Sequence, residues 1–241
     1  MKSRKNCLIG FGDSIMKGIV VRRNEENRFK FSLIDNSLTD RLGAELSVDV
    51  KNFGKMGCTI QSGEKILDSH LSELSAGDVV LLEYGGCDSN YSWGDIANSP
   101  TDLHRPVTPL SEFSDTYRSI LKKVMYAGAV PVVLSLPPID ADRYFEYISS
   151  SMTASQRENV RSWLNGSINN INYGHELYNL ETIKVAHQML VPWIDITSAF
   201  LTSRNYRDYL CADGLHPNEL GQKLIADAVS RKLRYAIANA A

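Results

Sequence analysis

Cysteine is scarce in this sequence, and its spacing excludes the usual cysteine-based sites. The 241 residues contain four cysteines, Cys7, Cys58, Cys87 and Cys211. No two of them form a C-x-x-C pair, and none has a companion histidine at zinc-finger spacing. Structural zinc sites and thioredoxin-like redox motifs need such spacings. The sequence therefore predicts no metal site, and reduced thiols of the kind usual in the cytoplasm.

An excess of one charge and long apolar runs are also missing. Lys and Arg number 26 against 28 Asp and Glu, a formal net charge of -2, and no block of like charges stands out. This balance argues against a nucleic-acid or anionic-lipid surface. No stretch approaches the roughly 18 apolar residues that a membrane-spanning helix needs. The basic residues 1–5 precede an apolar run, Cys7–Phe11, that is shorter than the core of a secretion signal. We expect a soluble, cytoplasmic protein with a small-molecule partner, and its oligomeric state stays open.

The sequence does contain an alternation of strand and helix patterns. It is 43% hydrophobic and 22% charged, which is ordinary for a globular protein. Five short apolar runs predict strands, and helical periodicity lies between them. The predicted strands are Cys7–Phe11, Val48–Phe53, Val79–Tyr84, Ala129–Leu136 and Leu190–Ile196. Because parallel strands need crossover connections, we predict one doubly wound α/β domain over residues 1–241.

The residues just after each strand are the candidates for chemistry, since ligands of open parallel sheets bind beyond the carboxyl ends of the strands. The first strand is followed by Gly12-Asp13-Ser14-Ile15, and a late loop reads Asp213-Gly214-Leu215-His216-Pro217-Asn218. A spacing of three within a helical turn puts Asp213 beside His216, where a carboxylate can orient an imidazole for a serine nucleophile. The simpler interpretation makes Ser14 a helix N-cap and the Asp213–His216 segment a turn that starts the last helix.

Two other motifs in the sequence compete with this interpretation. Gly10-Phe11-Gly12-Asp13-Ser14-Ile15 nearly matches the dinucleotide-binding fingerprint, but Ile15 replaces the glycine that lets the helix approach the strand. Ser62-Gly63-Glu64-Lys65 matches the S-x-x-K of penicillin-interacting enzymes, yet the companion S-D-N and K-T-G motifs are absent. We therefore expect neither activity, and we interpret Ser62 as an N-cap.

The blocks Gly12-Asp13-Ser14-Ile15, Gly57, Gly86-Cys87-Asp88 and Asp213–Asn218 together resemble the conserved blocks of the SGNH hydrolases, also called the GDSL lipase and esterase family. The resemblance implies a flavodoxin-like three-layer α/β/α sandwich around a five-stranded parallel sheet. It also implies hydrolysis of acyl esters or thioesters without a cofactor or metal. Ser14 would then be the nucleophile, His216 the general base and acid, and Asp213 the residue that fixes the histidine tautomer. The implied oxyanion hole uses the backbone N–H groups of Ser14 and Gly57 and one further side chain.

That further position departs from the family, which has asparagine where this chain has Cys87. A thiol is only a weak donor, and losing one oxyanion donor costs other acyl-transfer enzymes about 10²–10³ in turnover. Several interpretations stay open. In the first, the enzyme works slowly with two oxyanion donors. In the second, the Asn90 side chain replaces the missing amide. In the third, Cys87 is an introduced change or belongs to a lineage that has lost catalysis. Alternatively, Cys87 is itself a reactive thiol whose pKa a nearby His216 lowers.

The stretch from Gly85 to Ser111 is long enough to cover a site, and its Tyr91 and Trp93 are candidates for substrate contact. The alternative is that these aromatics only staple the loop to the body of the protein. Together with Leu136–Asp140, this loop is our candidate for the acyl and leaving-group walls. We predict a serine esterase for small acyl esters or thioesters, with acetyl groups on carbohydrate favoured by the resemblance. The alternative function is a catalytically impaired protein that binds acyl or carbohydrate groups.

Overall fold

A five-stranded parallel sheet organises the chain. The structure is a computed structural model that describes residues 6–240, with side chains as far as Arg234, so residues 1–5 considered above lie outside it. The strands are β1 (Cys7–Gly12), β2 (Ile19–Arg23), β3 (Phe29–Leu33), β4 (Asp49–Asn52), β5 (Val79–Glu83), β6 (Val130–Leu134) and β7 (Trp193–Ile194). The sheet has the order β4-β1-β5-β6-β7, and all its pairings are parallel. This is the flavodoxin-like strand order, in which the direction of winding changes beside the first strand.

Helices cover both faces of the sheet. They are α1 (Ser14–Lys17), α2 (Leu38–Leu46), α3 (Ile60–His70), α4 (Trp93–Asn98), α5 (Leu110–Tyr126), α6 (Ala141–Ile148), α7 (Ala154–Trp163), α8 (Asn170–Gln188), α9 (Thr197–Leu201) and α10 (Glu219–Ala240). Apolar side chains of α3, α5 and α8 form one core with the sheet, and those of α2, α9 and α10 form the core on the other face. The predicted three-layer α/β/α architecture is therefore confirmed. A smaller apolar cluster joins α4, α6 and α7.

All five predicted strands are present, but the last is much shorter than predicted. Only Trp193–Ile194 pair with β6, whereas the prediction began at Leu190. Leu190 has a φ of 54° and is 89% exposed. Its N–H donates to the His187 carbonyl at 3.1 Å, and the next N–H, of Val191, donates to the Ala186 carbonyl at 2.9 Å. Backbone hydrogen bonds that close the end of α8 thus occupy the residues that the apolar pattern assigned to a strand.

The antiparallel hairpin of β2 and β3 was not predicted. In β3, Phe29, Phe31 and Leu33 alternate with Lys30 and Ser32, which is a period-two pattern typical of strands. Continuous apolar runs identified the buried parallel strands but not this amphipathic one. The hairpin matters for the site, because its Phe31 ring lies edge-on to the His216 ring at a centroid distance of 6.0 Å.

Within residues 6–240, no helix combines the length and the apolar character that crossing a bilayer requires.

Candidate active site

Ser14 lies at a tight corner between β1 and α1. It is the first residue of α1, and its side chain is buried. The N-cap is Asp13, whose Oδ1 accepts a hydrogen bond from the Ile15 N–H at 2.8 Å. The corner is close to the neighbouring strand, because a Cβ atom at Gly12 would lie 2.6 Å from the Glu83 carbonyl oxygen. The interpretation of Ser14 as the N-cap is therefore wrong, and its hydroxyl is left for another partner.

That partner is His216. Its Nε2 lies 2.8 Å from Ser14 Oγ, and its Nδ1 lies 2.6 Å from Asp213 Oδ2. All three side chains are buried. An ionised carboxylate only accepts hydrogen bonds, so Nδ1 carries the proton and Nε2 is the acceptor for the serine hydroxyl. This is the arrangement in which an imidazole can take a proton from an attacking serine and later return it.

The loop that carries Asp213 and His216 orients the carboxylate. Asp213 Oδ1 accepts the backbone N–H groups of Leu215 and His216, each at 3.2 Å. Gly214 between them has a φ of 71°, and a Cβ there would lie 2.5 Å from the Asp140 carbonyl oxygen, so only glycine fits this turn. The turn does not start the last helix, contrary to the simpler interpretation of this segment.

The last helix has its own cap, two residues beyond the turn. It begins at Glu219, and Asn218 Oδ1 accepts the N–H groups of Leu220 and Gly221 at 3.0 and 3.1 Å. The Asp213–His216 turn is therefore not needed to begin this helix.

The loop after β4 is attached to the serine corner. Asn52 Nδ2 donates to the Met16 carbonyl at 2.8 Å, and the Lys55 N–H donates to the Gly12 carbonyl at 3.1 Å. Gly57 at the tip of the loop is exposed and has a φ of 69°. A Cβ there would meet no described atom within 4 Å. The loop is thus fixed at its base and open to solvent at Gly57, where the resemblance places an oxyanion donor.

Cys87 follows β5 and faces the serine corner from the next strand. Its half-buried thiol donates to Asp13 Oδ2 at 3.6 Å. Burial, followed by the negative charges of Asp13 and Asp88, raises the pKa of the Cys87 thiol far above its ordinary value. The hypothesis of a reactive thiol required the opposite shift. The structure contradicts that premise, because carboxylates rather than a cation surround the sulfur.

A buried carboxyl pair behind the serine was missed at the sequence level. Glu83 ends β5 opposite Gly12, and both of its oxygens are sealed from solvent without a hydrogen bond of good geometry to any described residue. Burial, and then the neighbouring Asp13 carboxylate, raise the Glu83 pKa well above its usual value. Burial also raises the pKa of Asp13. Neither the spacing nor the composition of the sequence indicates this pair, because strand pairing alone brings the two residues together.

Asp88 is a third buried carboxylate, and it ties the site to α3 and the long loop. Its Oδ1 accepts the Ile60 N–H at 3.0 Å and the Thr108 hydroxyl at 2.7 Å. Burial raises its pKa to about 6, although both hydrogen bonds oppose the shift. These contacts identify Asp88 as an anchor for the segment that includes Cys87.

A cavity of about 210 Å³ adjoins the loops that carry Cys87 and His216. Gly86 and Leu215, which directly precede Cys87 and His216, are in its wall. Tyr91, Trp93 and Ile139 from the two predicted wall segments also line it, together with residues that sequence reasoning missed: Tyr144, Trp163 and His175. No pattern in the sequence indicated these three, because they lie on α6, α7 and α8.

The Tyr91 and Trp93 aromatics pack against the body of the protein, and they also line the cavity. The Tyr91 ring lies 4.9 Å from that of Trp163, and Trp93 belongs to the buried cluster under α4. The rings therefore hold this segment in place and line the cavity as well. Asn90 is also anchored here, since its Oδ1 accepts the Trp93 indole N–H at 2.7 Å and the Tyr144 hydroxyl at 2.8 Å.

Comparison with known proteins places the chain in a family. The model of the GDSL-like lipase/acylhydrolase family matches residues 11–224. The match spans both the serine corner and the Asp213–His216 loop. The chain therefore belongs to the GDSL-like lipase/acylhydrolase family, which is a family of hydrolases.

Solved structures with the same fold have low sequence identity. A lipase/acylhydrolase from Enterococcus faecalis is 17% identical with a TM-score of 0.62, and the alignment covers 96% of each chain. LAE5, an alpha/beta hydrolase from the metagenome of Lake Arreo, is 18% identical with a TM-score of 0.61, and the alignment covers 95% of this chain and 94% of the other. Axe2, an acetylxylan esterase from Geobacillus stearothermophilus, is 15% identical with a TM-score of 0.59, and the alignment covers 95% of this chain and 94% of Axe2. No curated protein sequence matches the chain.

Proposed function

We propose that this protein is a serine esterase whose nucleophile is Ser14. The observation that carries the proposal is the continuous chain of hydrogen bonds from Ser14 through His216 to Asp213, at 2.8 and 2.6 Å. In the proposed reaction, His216 takes the hydroxyl proton as Ser14 Oγ attacks the ester carbonyl. The alcohol then leaves with the proton returned by His216, and water hydrolyses the acyl-enzyme by the same route.

The proposed oxyanion site uses the backbone N–H groups of Ser14 and Gly57. The position of Gly57 on an exposed, anchored loop supports this role, since a donor must face the developing charge without first reorganising. Cys87 contributes little in our proposal, because its thiol is a weak donor and already donates to Asp13. We therefore expect slow turnover for a serine hydrolase.

We propose small esters, including O-acetyl groups on carbohydrate, as substrates. A cavity of about 210 Å³ is of a size to hold a small group, since sites for drug-sized ligands usually span about 300–1,000 Å³. One relative in fold, Axe2, is an acetylxylan esterase. The competing proposal, favoured by the loss of the amide at Cys87, is a protein that binds such ligands without turnover.

A single comparison tests the esterase proposal. The wild type should hydrolyse p-nitrophenyl acetate and become labelled by a fluorophosphonate, whereas Ser14→Ala should do neither. Ser69→Ala, an exposed serine on α3, is the matched control and should keep both properties. Hydrolysis that persists in Ser14→Ala would refute Ser14 as the nucleophile. A wild type that neither labels nor hydrolyses would favour the binding function.

A further inference from the structure

The cavity that adjoins the Cys87 and His216 loops is neutral and has the size of one ring. None of its 15 lining residues is Asp, Glu, Lys or Arg. Its volume is about 210 Å³, somewhat larger than an engineered cavity of about 150 Å³ that holds benzene in another protein. Four aromatic residues line it: Tyr91, Trp93, Tyr144 and Trp163. A charged ligand would find no counter-charge among these residues.

One polar atom of the wall is a hydrogen-bond acceptor with a fixed position. His175 is buried, and its Nε2 lies 3.0 Å from the Pro137 carbonyl oxygen. A carbonyl can only accept, so Nε2 carries the proton and Nδ1 presents a lone pair. Nδ1 has no hydrogen-bond partner among residues 6–240, and it is not one of the polar atoms sealed from solvent. Burial lowers the His175 pKa, which keeps the ring neutral at neutral pH. His175 lines the cavity, and the free Nδ1 is the acceptor that its side chain can offer to a ligand there.

A second polar atom is a fixed donor. Asn90 Oδ1 accepts two hydrogen bonds, from the Trp93 indole and the Tyr144 hydroxyl. Because an indole N–H can only donate, this contact identifies the amide oxygen and leaves Nδ2 on the opposite side of the amide. No described residue accepts from Nδ2, and the atom is not sealed from solvent. The cavity thus offers one acceptor and one donor whose roles cannot be exchanged.

A further acceptor comes from α8. Asn170 Nδ2 donates to the Leu164 carbonyl at 2.8 Å, so its Oδ1 is free to accept, and Asn170 also lines the cavity. An alkyl group in this space would leave these polar atoms without partners, whereas a ring with several hydroxyl groups can both donate and accept.

We propose that this cavity is a subsite for one neutral, polyhydroxylated six-membered ring in the alcohol part of the ester, with His175 Nδ1 and Asn90 Nδ2 as the atoms that select it. Gly86 and Leu215 in the wall directly precede Cys87 and His216, which is why we assign the ring to the ester that Ser14 would attack. The assignment to the alcohol part rests on the proposed esterase function, but binding of the ring itself does not.

Binding tests the subsite without hydrolysis. Calorimetric titration of the wild type with methyl β-D-xylopyranoside should give at least tenfold tighter binding than titration with cyclohexanol, a ring with only one hydroxyl. His175→Phe keeps a ring but removes Nδ1, and Asn90→Asp keeps the acceptor for Trp93 and Tyr144 but removes the donor. Each should reduce the preference at least fivefold. His187→Phe, on an exposed part of the same helix, should leave it unchanged.

Either of two binding results would overturn the subsite: no preference for the xyloside in the wild type, or a preference that survives in both cavity variants. Because no turnover is involved, these results are separate from a failure of the Ser14 proposal. Kinetics then test which part of the ester lies in the cavity. Mono-O-acetylated methyl xylopyranoside should exceed cyclohexyl acetate in kcat/KM at least tenfold. A higher kcat/KM for ethyl 4-hydroxybenzoate than for the sugar acetate would assign the cavity to the acyl group instead.

Discussion

The two ends of the same sheet use buried polar groups differently. At the amino end, the Asp78 carboxylate accepts the backbone N–H groups of Cys7 and Ser75, each at 2.9 Å. This carboxylate therefore fixes where β1 and β5 begin. At the carboxyl end, the Asp213 carboxylate also accepts backbone N–H groups, but it holds a histidine that in turn contacts Ser14. A buried carboxylate thus orients the backbone at one end of the sheet and a histidine side chain at the other.

This difference teaches that stability and chemistry are separated along the strands. Apolar side chains such as Leu8, Val79 and Val132 surround the amino end, whereas several buried carboxyl groups are concentrated where the strands finish. Substitutions at the carboxyl end should therefore lower kcat, whereas substitutions at the amino end should lower the free energy of unfolding.

The largest expected effect is at the carboxyl end, in Asp213→Asn. An amide in place of the carboxylate can donate to Nδ1, which favours the tautomer with the proton on Nε2 and removes the base that faces Ser14. The corresponding change in a serine protease lowers turnover about 10⁴-fold, and we expect a loss of kcat of about 10³–10⁴-fold for p-nitrophenyl acetate. Asp227→Asn, in a solvent-facing ion pair on α10, is the matched control. Loss of less than tenfold in Asp213→Asn would contradict the proposed role.

Leu8→Ala should produce the opposite result at the amino end. Leu8 is 3% exposed and packs in the core beneath α2 and α10. Truncating a buried leucine costs about 2–5 kcal/mol of unfolding free energy, measurable by urea denaturation, while kcat at 25 °C should stay within twofold of the wild type. Leu190→Ala, at a residue 89% exposed, should change neither quantity. A large loss of kcat in folded Leu8→Ala would show that the two ends are not separable.

Cys87→Asn sharpens the comparison, since this substitution at the carboxyl end should raise kcat rather than lower it. An asparagine amide is a stronger donor than a thiol and restores the third oxyanion contact implied by the family. We expect kcat for p-nitrophenyl acetate to rise by up to about 10². Cys87→Ala removes the thiol without adding a donor and should not raise kcat. If kcat rose equally in Cys87→Asn and Cys87→Ala, the cause would be removal of the thiol rather than the new amide donor.

The smallest effect is expected in Glu83→Gln, and it depends on pH. The folded-state pKa of Glu83 is raised, so folding retains a proton that the unfolded chain releases above about pH 4.5. The wild type therefore loses stability as pH rises from about 4.5 toward the folded-state pKa. Glutamine has no proton to release, so the Tm of Glu83→Gln relative to the wild type should increase with pH. We expect this difference in Tm to grow steadily as the pH is raised from 4.5 to 8.

Asp13 and Glu83 titrate as an interacting pair, so the difference in Tm reports the proton held by the pair rather than by Glu83 alone. Glu158→Gln, at an exposed position on α7, is the control and should show no such trend in Tm. A Tm difference between Glu83→Gln and the wild type that stays constant from pH 4.5 to 8 would contradict the buried, protonated carboxyl.

Much of the fold was predictable because buried parallel strands leave continuous apolar runs. The β2–β3 hairpin left a signal too, but an alternating one, and a search for alternation around Phe31 would have found it. The helix cap at the serine corner was misassigned for a physical reason. Asp13 and Ser14 are both residue types that commonly cap helices. Asp13 is the cap of α1, because the Ser14 hydroxyl instead lies against His216 Nε2. Ser62 was also misassigned, because α3 is capped by Thr59, three residues earlier.

The candidate triad could be proposed from the sequence because its residues lie in short motifs. The cavity could not be, because its polarity is set by tertiary contacts. Nothing near His175 in the sequence indicates that the Pro137 carbonyl fixes its tautomer. The raised pKa of Glu83 likewise depends on the pairing of β1 with β5, which brings it against Asp13.

The hydrogen bond between Ser14 and His216 joins residues 202 positions apart. During synthesis the ribosome releases Ser14 early, while the segment with His216 emerges only after nearly the whole sheet has been made. A nascent chain can thus contain a complete β1–α1 corner and no general base. The proposed esterase activity therefore requires the loop that carries His216 to dock against the β1–α1 corner, which makes ester hydrolysis a reporter of this long-range contact. Stopped-flow refolding monitored by p-nitrophenyl acetate would time the formation of this contact.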